Sequence, residues 1–199
     1  MIRTASISLV VMFTLILASA VPERADAQSH SKYAGQERRA IKSLSNEDIA
    51  ELTRGAGGGF AKVAELNGVP GPLHLLEMKD QIALTPDQVA NVTKIYNQMR
   101  EAATKFGSEF IQGESELDRA FRDGSITEAT LKTQLERISR VRAKLRGVHL
   151  LAHLRVLPIL SEAQVAAYNR LRGYEQSDPC ASPPKGHNIA MWRKHHGCK

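Results

Sequence analysis

The feature that most constrains this chain is a helical repeat of apolar residues that runs, with one interruption, between residues 85 and 157. In its first half, apolar side chains recur every three or four positions, and Gly113 fills the gap in the repeat. This face consists of Val92, Tyr96, Met99, Ala103, Phe106, Phe110, Leu117 and Phe121. Such spacing places the side chains on one side of a helix, so it predicts a long amphipathic α-helix that ends at Asp123-Gly124.

A second apolar repeat begins after Thr127, a predicted N-cap, and stops before Pro158. Its members are Leu131, Leu135, Ile138, Val141, Leu145, Val148 and Ala152. Two long helices joined by a short turn predict an antiparallel hairpin with coiled-coil-like packing. Shorter helices are predicted at residues 46–54, 60–66, 73–82 and 162–174. We therefore expect an all-α fold in which short helices flank a long antiparallel helical hairpin.

Two similar sequences predict helix starts on either side of this hairpin. Thr85 and Ser161 can each act as an N-cap, and Gln88 and Gln164 stand three residues later, where they can bond back to the cap. A leucine precedes each cap and can pack against the helix that follows. These two residues are Leu84 and Leu160.

The first 27 residues have the parts of a secretion signal peptide. Arg3 supplies the positive charge, an apolar stretch covers residues 7–18, and small residues precede possible cleavage points after Ala20 and after Ala27. We favour the second point because residues 21–27 are polar and helix-breaking. The alternative is an uncleaved membrane anchor, but the stretch is shorter than the ~20 residues of a spanning helix. We expect an exported protein with no stable membrane span after cleavage.

Together, the residues 84–88 and 160–164 resemble the LTxxQ pair of the Spy/CpxP family, with Ser161 in place of threonine. The resemblance covers about residues 60–175, and the segment 64–72 resembles a subgroup with an extended N-terminal region. It implies a periplasmic, ATP-independent chaperone or envelope-stress adaptor, built as a cradle-shaped homodimer whose concave face binds unfolded or misfolded envelope proteins. A sensor kinase is a further partner that it implies. The matching motif residues are then structural caps.

Outside that segment, we expect residues 28–59 to form a flexible or short-helical extension and residues 176–199 an irregular tail. The net charge is +6, and export separates the chain from chromosomal DNA, so we expect no nucleic-acid partner. The candidate client-binding residues combine apolar and cationic side chains on the second long helix. They are Arg142, Arg146, Leu150, Leu154 and Leu157. The competing interpretation of the cations is a solvated helix face.

A second hypothesis is a metal-binding sensor or buffer. His149 and His153 are four residues apart, which places both imidazoles on one helix face, and the tail holds further thiol and imidazole groups that suit Zn or Cu. The tail candidates are Cys180, His187, His195, His196 and Cys198. We favour local hydrogen bonding for the first histidine pair and a Cys180–Cys198 disulfide for the tail, because exported cysteine pairs are usually bridged. Idle thiols in a disordered tail are a third possibility.

No arrangement of residues in the sequence predicts catalysis. There is no Gly-x-Ser-x-Gly elbow, phosphate-binding loop or paired-carboxylate motif, and the glycines near residue 57 do not follow a strand as a dinucleotide site requires. We therefore expect no enzyme activity and no required cofactor.

Overall fold

The computed structural model describes residues 31–174, 188–195 and 197–198. The chain divides into two compact units, residues 1–34 and residues 35–199, and every element named below belongs to the second. Within the described residues all regular structure is helical, with no strand. The all-α prediction is confirmed. The predicted signal peptide lies outside the described residues.

The helices of the second unit follow the predicted order. They are α1 (Asn46–Thr53), α2 (Lys62–Glu65), α3 (Pro72–Glu77), α4 (Pro86–Arg122), α5 (Glu128–Val156), α6 (Glu162–Leu171) and α7 (Ile189–His195). Two 3₁₀ turns, Gln36–Arg38 and Leu157–Ile159, complete the set. Among these described helices, none has the length and apolar character that crossing a membrane requires.

Three short elements differ from the sequence predictions. α3 ends at Glu77, and the chain then continues in turns up to Ala83, which adopts a positive φ of 52°. α6 ends at Leu171, slightly earlier than expected. The tail, which we expected to be irregular, contains α7, because the Asn188 side chain accepts a hydrogen bond from Met191 N (3.1 Å) and so caps a short helix.

The hairpin is formed by α4 and α5, as predicted. At 1.5 Å per residue these helices are about 55 and about 44 Å long. Gly124, at φ +66°, reverses the chain after α4, and Thr127 caps α5 by accepting a hydrogen bond from Thr130 N (3.2 Å). The turn is short, so the two helices run antiparallel and pack along their apolar faces.

Two clusters of buried residues lie along the hairpin. The middle cluster joins α4 and α5 to α1 and the residues before it, and the end cluster joins the open end of the hairpin to α3 and α6. The middle cluster contains Ile41, Leu44, Leu52, Ala103, Phe110, Ile138 and Leu145. The end cluster contains Leu75, Ile82, Val92, Val156 and Tyr168.

The helix α1 sits unusually close to α4. Gly107 faces the carbonyl oxygen of Leu52, and a Cβ at this position would overlap that backbone oxygen. The absence of a side chain therefore lets the C-terminal turn of α1 rest on the α4 backbone.

The predicted apolar stripes are not buried over their full length. Phe121 is 57% exposed and Leu135 is 45% exposed. Phe121 lies in the last turn of α4, beyond the place where α1 crosses the hairpin, and Leu135 faces the groove described below. A helical stripe is buried only where another element covers it, so its ends need not join the core.

Candidate functional site

Both predicted cap sequences begin helices in the structure. Thr85 Oγ1 accepts a hydrogen bond from Gln88 N (3.2 Å), and Gln88 Oε1 accepts one from Thr85 N (2.9 Å). Ser161 Oγ and Gln164 Oε1 make the matching pair, at 3.3 and 3.0 Å. Leu84 and Leu160 pack against the end cluster. The prediction of two capping boxes is confirmed.

The two glutamines also bind each other. Gln88 Nε2 donates to Gln164 Oε1, and Gln164 Nε2 donates to Gln88 Oε1, both at 2.9 Å. Each amide also reaches backbone beside the other box, since Gln88 Nε2 donates to Ile159 O (2.7 Å) and Gln164 Nε2 to Ala83 O (3.3 Å). We call this pair the amide clasp. It holds the start of α4 against the start of α6.

A second polar group at the same end of the hairpin is centred on Glu65. Its Oε1 accepts hydrogen bonds from Tyr168 OH (2.8 Å), Arg172 Nε (3.0 Å) and Tyr174 OH (3.2 Å). Tyr168 is fully buried, its hydroxyl accepts a bond from Gly71 N (3.2 Å), and burial raises the pKa of this phenol. Sequence reasoning missed this network because Tyr168 follows Glu65 by 103 positions.

His149 and His153 are buried, with exposures of 2% and 5%. His153 Nδ1 is bonded to Val69 O (2.9 Å), so its partner is a distant segment rather than the local one we expected. The His149 ring stacks on Phe60, with centroids 5.9 Å apart, and within the described residues its Nε2 has no hydrogen-bond partner. Burial, with a smaller contribution from His153, lowers the pKa of His149 from 6.5 to about 4.

The unpartnered His149 Nε2 suits a metal ligand, but a site needs more donors than this helix offers. His153 has committed one ring nitrogen to Val69, and two imidazoles leave a zinc site incomplete. In the part of the chain that the structure describes, no group of three His, Cys, Asp or Glu is placed to hold a metal. The other candidate ligands predicted from the sequence are those of the tail.

Much of the tail is not described. Cys180, His187 and His196 lie outside the described residues, whereas His195 belongs to α7 and Cys198 follows it. Cys198 is disulfide-bonded, but its predicted partner Cys180 lies outside the described residues, so the Cys180–Cys198 pairing and the tail metal site stay predictions.

An open groove of about 880 Å³ lies over the middle cluster. Its apolar lining includes Leu52, Phe60, Phe110, Leu135 and Ile138. Carboxylates from α1 and α4 and guanidinium groups from α5 also line it. These are Asp48, Glu51, Glu114, Arg142 and Arg146. The groove therefore combines an apolar surface with charges of both signs.

The structure does not bring the five predicted client-binding residues together. Arg142 and Arg146 line the groove. Leu157 lines a separate recess of about 470 Å³ between the 3₁₀ turn Leu157–Ile159 and α6. Leu154 is 59% exposed and lies on the side of α5 opposite to the buried Leu145, and Leu150 is half-buried. Sequence reasoning missed the contributions of α1 and Phe60, because their positions depend on how α1 crosses α4.

No protein-family model, curated protein or solved structure matches this chain. The fold and the groove therefore carry the functional argument, together with the sequence resemblance given above.

Proposed function

We propose that this protein is a periplasmic, ATP-independent chaperone or envelope-stress adaptor that binds unfolded polypeptide segments in the groove over the middle cluster. The observation that carries the proposal is the groove itself, which pairs apolar side chains with ionic ones in a volume of about 880 Å³. Ligand sites in proteins are typically concave and mostly apolar, with a few polar groups, and occupy ~300–1,000 Å³.

The chemistry of the groove suits weak and reversible binding. Leu135 and Phe60 offer apolar area to the aliphatic and aromatic side chains that unfolded proteins expose. No ion pair of Arg142 or Arg146 occurs among the described residues, so both cations are available for carboxylates of a client. Binding of this kind needs no nucleotide, because release follows from low affinity.

The remaining parts of the proposal rest on sequence. The predicted signal peptide supports export, and the resemblance to the Spy/CpxP family supports a periplasmic homodimer with a sensor-kinase partner. N-terminal sequencing of the purified chain would locate the cleavage point, and sedimentation equilibrium would give the oligomeric state.

Light scattering of a chemically denatured client, diluted with and without the purified chain, tests the central activity. We expect the wild type to suppress aggregation at stoichiometric ratios, and Leu135→Gln with Arg142→Gln to lose most of that effect. Both positions are exposed, so the change should leave the fold intact. Unchanged suppression by this variant would place binding elsewhere, and no suppression by the wild type would reject the proposal.

The matched control is Leu171→Gln with Lys105→Gln. It also removes one exposed leucine and one exposed cation, but neither residue lines the groove. We expect it to suppress aggregation as the wild type does.

The unpartnered and buried Nε2 of His149 favours one alternative, a Zn or Cu sensor or buffer. Titration calorimetry with each metal, on the wild type, on His149→Ala with His153→Ala, and on a chain ending at Tyr174, separates the possible ligand sets. Equal weak binding by all three proteins would remove this alternative.

A further inference from the structure

The outer face of α5, near its C-terminal end, carries apolar side chains that no other described helix covers. Leu151 is 50% exposed and Leu154 is 59% exposed. Both lie on the side of the helix that faces away from Leu145 and the rest of the middle cluster. Gly147 lies one helical turn before Leu151. Viewed down the axis of α5, it lies between Leu151 and Leu154. We call Gly147, Leu151 and Leu154 the outer patch.

Within the described residues, no contact requires a glycine at position 147. A Cβ added there would meet nothing within 4 Å, and the residue lies in the interior of a regular helix. Glycine in a helix interior costs about 1 kcal/mol relative to alanine. By contrast, Gly107 is required by the close approach of Leu52 O. The outer patch therefore contains a notch that no described part of the chain fills, and this notch permits another backbone to come close.

The surroundings of the outer patch are cationic. α5 carries seven Lys or Arg and two Glu, a net charge of +5 (seven minus two). Arg140 lies about two helical turns before Gly147 on the same side of α5, and Arg155 lies at the edge of the patch. Neither forms an ion pair within the described residues, whereas Arg137 pairs with Glu116. A partner that covers the leucines would bring its own charges next to these two guanidinium groups.

We propose that the outer patch is a docking site for an acidic amphipathic helix of another protein. Leucines of the partner helix would pack on Leu151 and Leu154, and its backbone would approach Gly147. Its carboxylates would pair with Arg140 and Arg155. Charge complementarity selects this occupant over a second copy, because a second α5 would bring its own Arg140 and Arg155 towards the same two cations. An acidic helix is favoured over a lipid surface because the patch is aliphatic and lacks the Trp and Tyr that are enriched at membrane interfaces. A glycine notch also allows close approach of a second backbone, which lipid does not have.

The probe is a fluorescein-labelled synthetic helix of about three heptads, with leucine on one face and glutamate on its flanks. A second peptide replaces each glutamate with lysine. Fluorescence anisotropy with the purified full chain should show binding of the glutamate peptide and at least tenfold weaker binding of the lysine peptide, about 1.4 kcal/mol. No binding of the glutamate peptide, or equal binding of both peptides, overturns the proposal.

Two variants locate the site. Leu154→Gln should weaken binding of the glutamate peptide at least about tenfold. Gly147→Gln should do the same by filling the notch, although it improves helix propensity and should raise the melting temperature of the chain. Because loss of binding then accompanies a gain in stability, unfolding cannot explain it. Retention of binding by Gly147→Gln overturns the proposal.

The groove variant, Leu135→Gln with Arg142→Gln, separates this proposal from the proposed chaperone function. Peptide binding should persist in it while suppression of aggregation is lost. Peptide binding that disappears in the groove variant alone would assign the peptide to the groove and overturn the outer-patch proposal.

Two further measurements assess the other occupants. If the chain sediments with anionic phosphatidylglycerol vesicles, and Leu154→Gln weakens this co-sedimentation, the patch would be assigned to a membrane. Self-association that Leu154→Gln abolishes would assign it to a second copy. Either result overturns the proposal, and we expect neither property to depend on Leu154.

Discussion

The two clusters along the hairpin differ in how they are closed. At the open end, buried apolar side chains are surrounded by polar ties between distant segments, namely the amide clasp and the bonds to Glu65. In the middle, α1 rests on α4 through backbone contact at Gly107 and leaves a groove beside it. This difference places the polar ties that fix the fold at the open end and the proposed binding surface in the middle.

The physical reason lies in the kind of contact. Side-chain hydrogen bonds between buried or partly buried groups are specific in geometry, and a fully buried group costs about 1–3 kcal/mol when it is left unpaired. They fix the end cluster in one arrangement. The groove depends on apolar area and exposed charge, which tolerate many partners because neither requires one geometry.

The largest effect should come from the centre of the end cluster. Tyr168→Ala removes a fully buried ring and leaves Glu65 and the Gly71 N–H each without one hydrogen-bond partner, so we expect a loss of about 3–5 kcal/mol in the free energy of unfolding. Urea denaturation followed by circular dichroism measures it. Tyr168→Phe, which removes only the hydroxyl, should lose about 1–2 kcal/mol. A loss below 1 kcal/mol for the alanine variant would contradict the assignment of the end cluster as the part that stabilises the fold.

Acid should weaken the fold through His149. Its pKa of about 4 in the folded chain lies below the 6.5 of an exposed histidine, so the unfolded chain binds more protons between these values. Stability is therefore fully present above pH 6.5 and falls as the pH is lowered towards 4, by about 2–3 kcal/mol from this residue.

His149→Phe isolates that contribution, because phenylalanine can stack on Phe60 and does not titrate. Denaturation series at pH 4, 5, 6 and 7 should give the variant a flatter dependence than the wild type. Parallel curves for the two proteins would mean that His149 is not buried as a neutral imidazole.

Two glycines offer a matched pair on the middle of the hairpin. Gly107→Ala places a Cβ against Leu52 O and should lower stability by about 1–3 kcal/mol, by displacing α1. Gly147→Ala meets nothing and should raise stability by about 0.5–1 kcal/mol. Thermal denaturation of both variants compares them directly. A gain at both positions would show that α1 is not seated on α4 as described.

The smallest effect should come from the amide clasp. A double-mutant cycle with Gln88→Ala and Gln164→Ala should give a coupling energy of about 0.5–1.5 kcal/mol, because each neutral hydrogen bond contributes little beyond water. Gln112→Ala paired with Gln164→Ala is the control, since these residues do not touch, and it should show additivity. Additivity at the clasp would mean that the two boxes cap their helices independently.

Much of the fold could be predicted from sequence because it is local. Thr85, Thr127 and Ser161 cap helices through bonds to residues three positions later, so the pattern in the sequence contains both partners. The apolar repeats likewise define helix faces within a few turns. The hairpin follows because the turn after Gly124 is short.

The site could not be predicted in the same way because its contacts join residues far apart in sequence. Gln88 meets Gln164 across 76 positions, and His153 meets Val69 across 84. The sequence assigned Arg142, Arg146 and Leu154 to one surface, but their angular positions on α5 and the path of α1 place the arginines in the groove and Leu154 on the outer face.

Amide hydrogen exchange of the chain, with and without a denatured client, tests most directly whether the middle cluster binds and the end cluster only stabilises. We predict that the client slows exchange in α1 and in residues 135–146 of α5, while α6 and residues 84–92 exchange as before. Slower exchange confined to α6 and residues 84–92, with none around the groove, would contradict this division of the molecule.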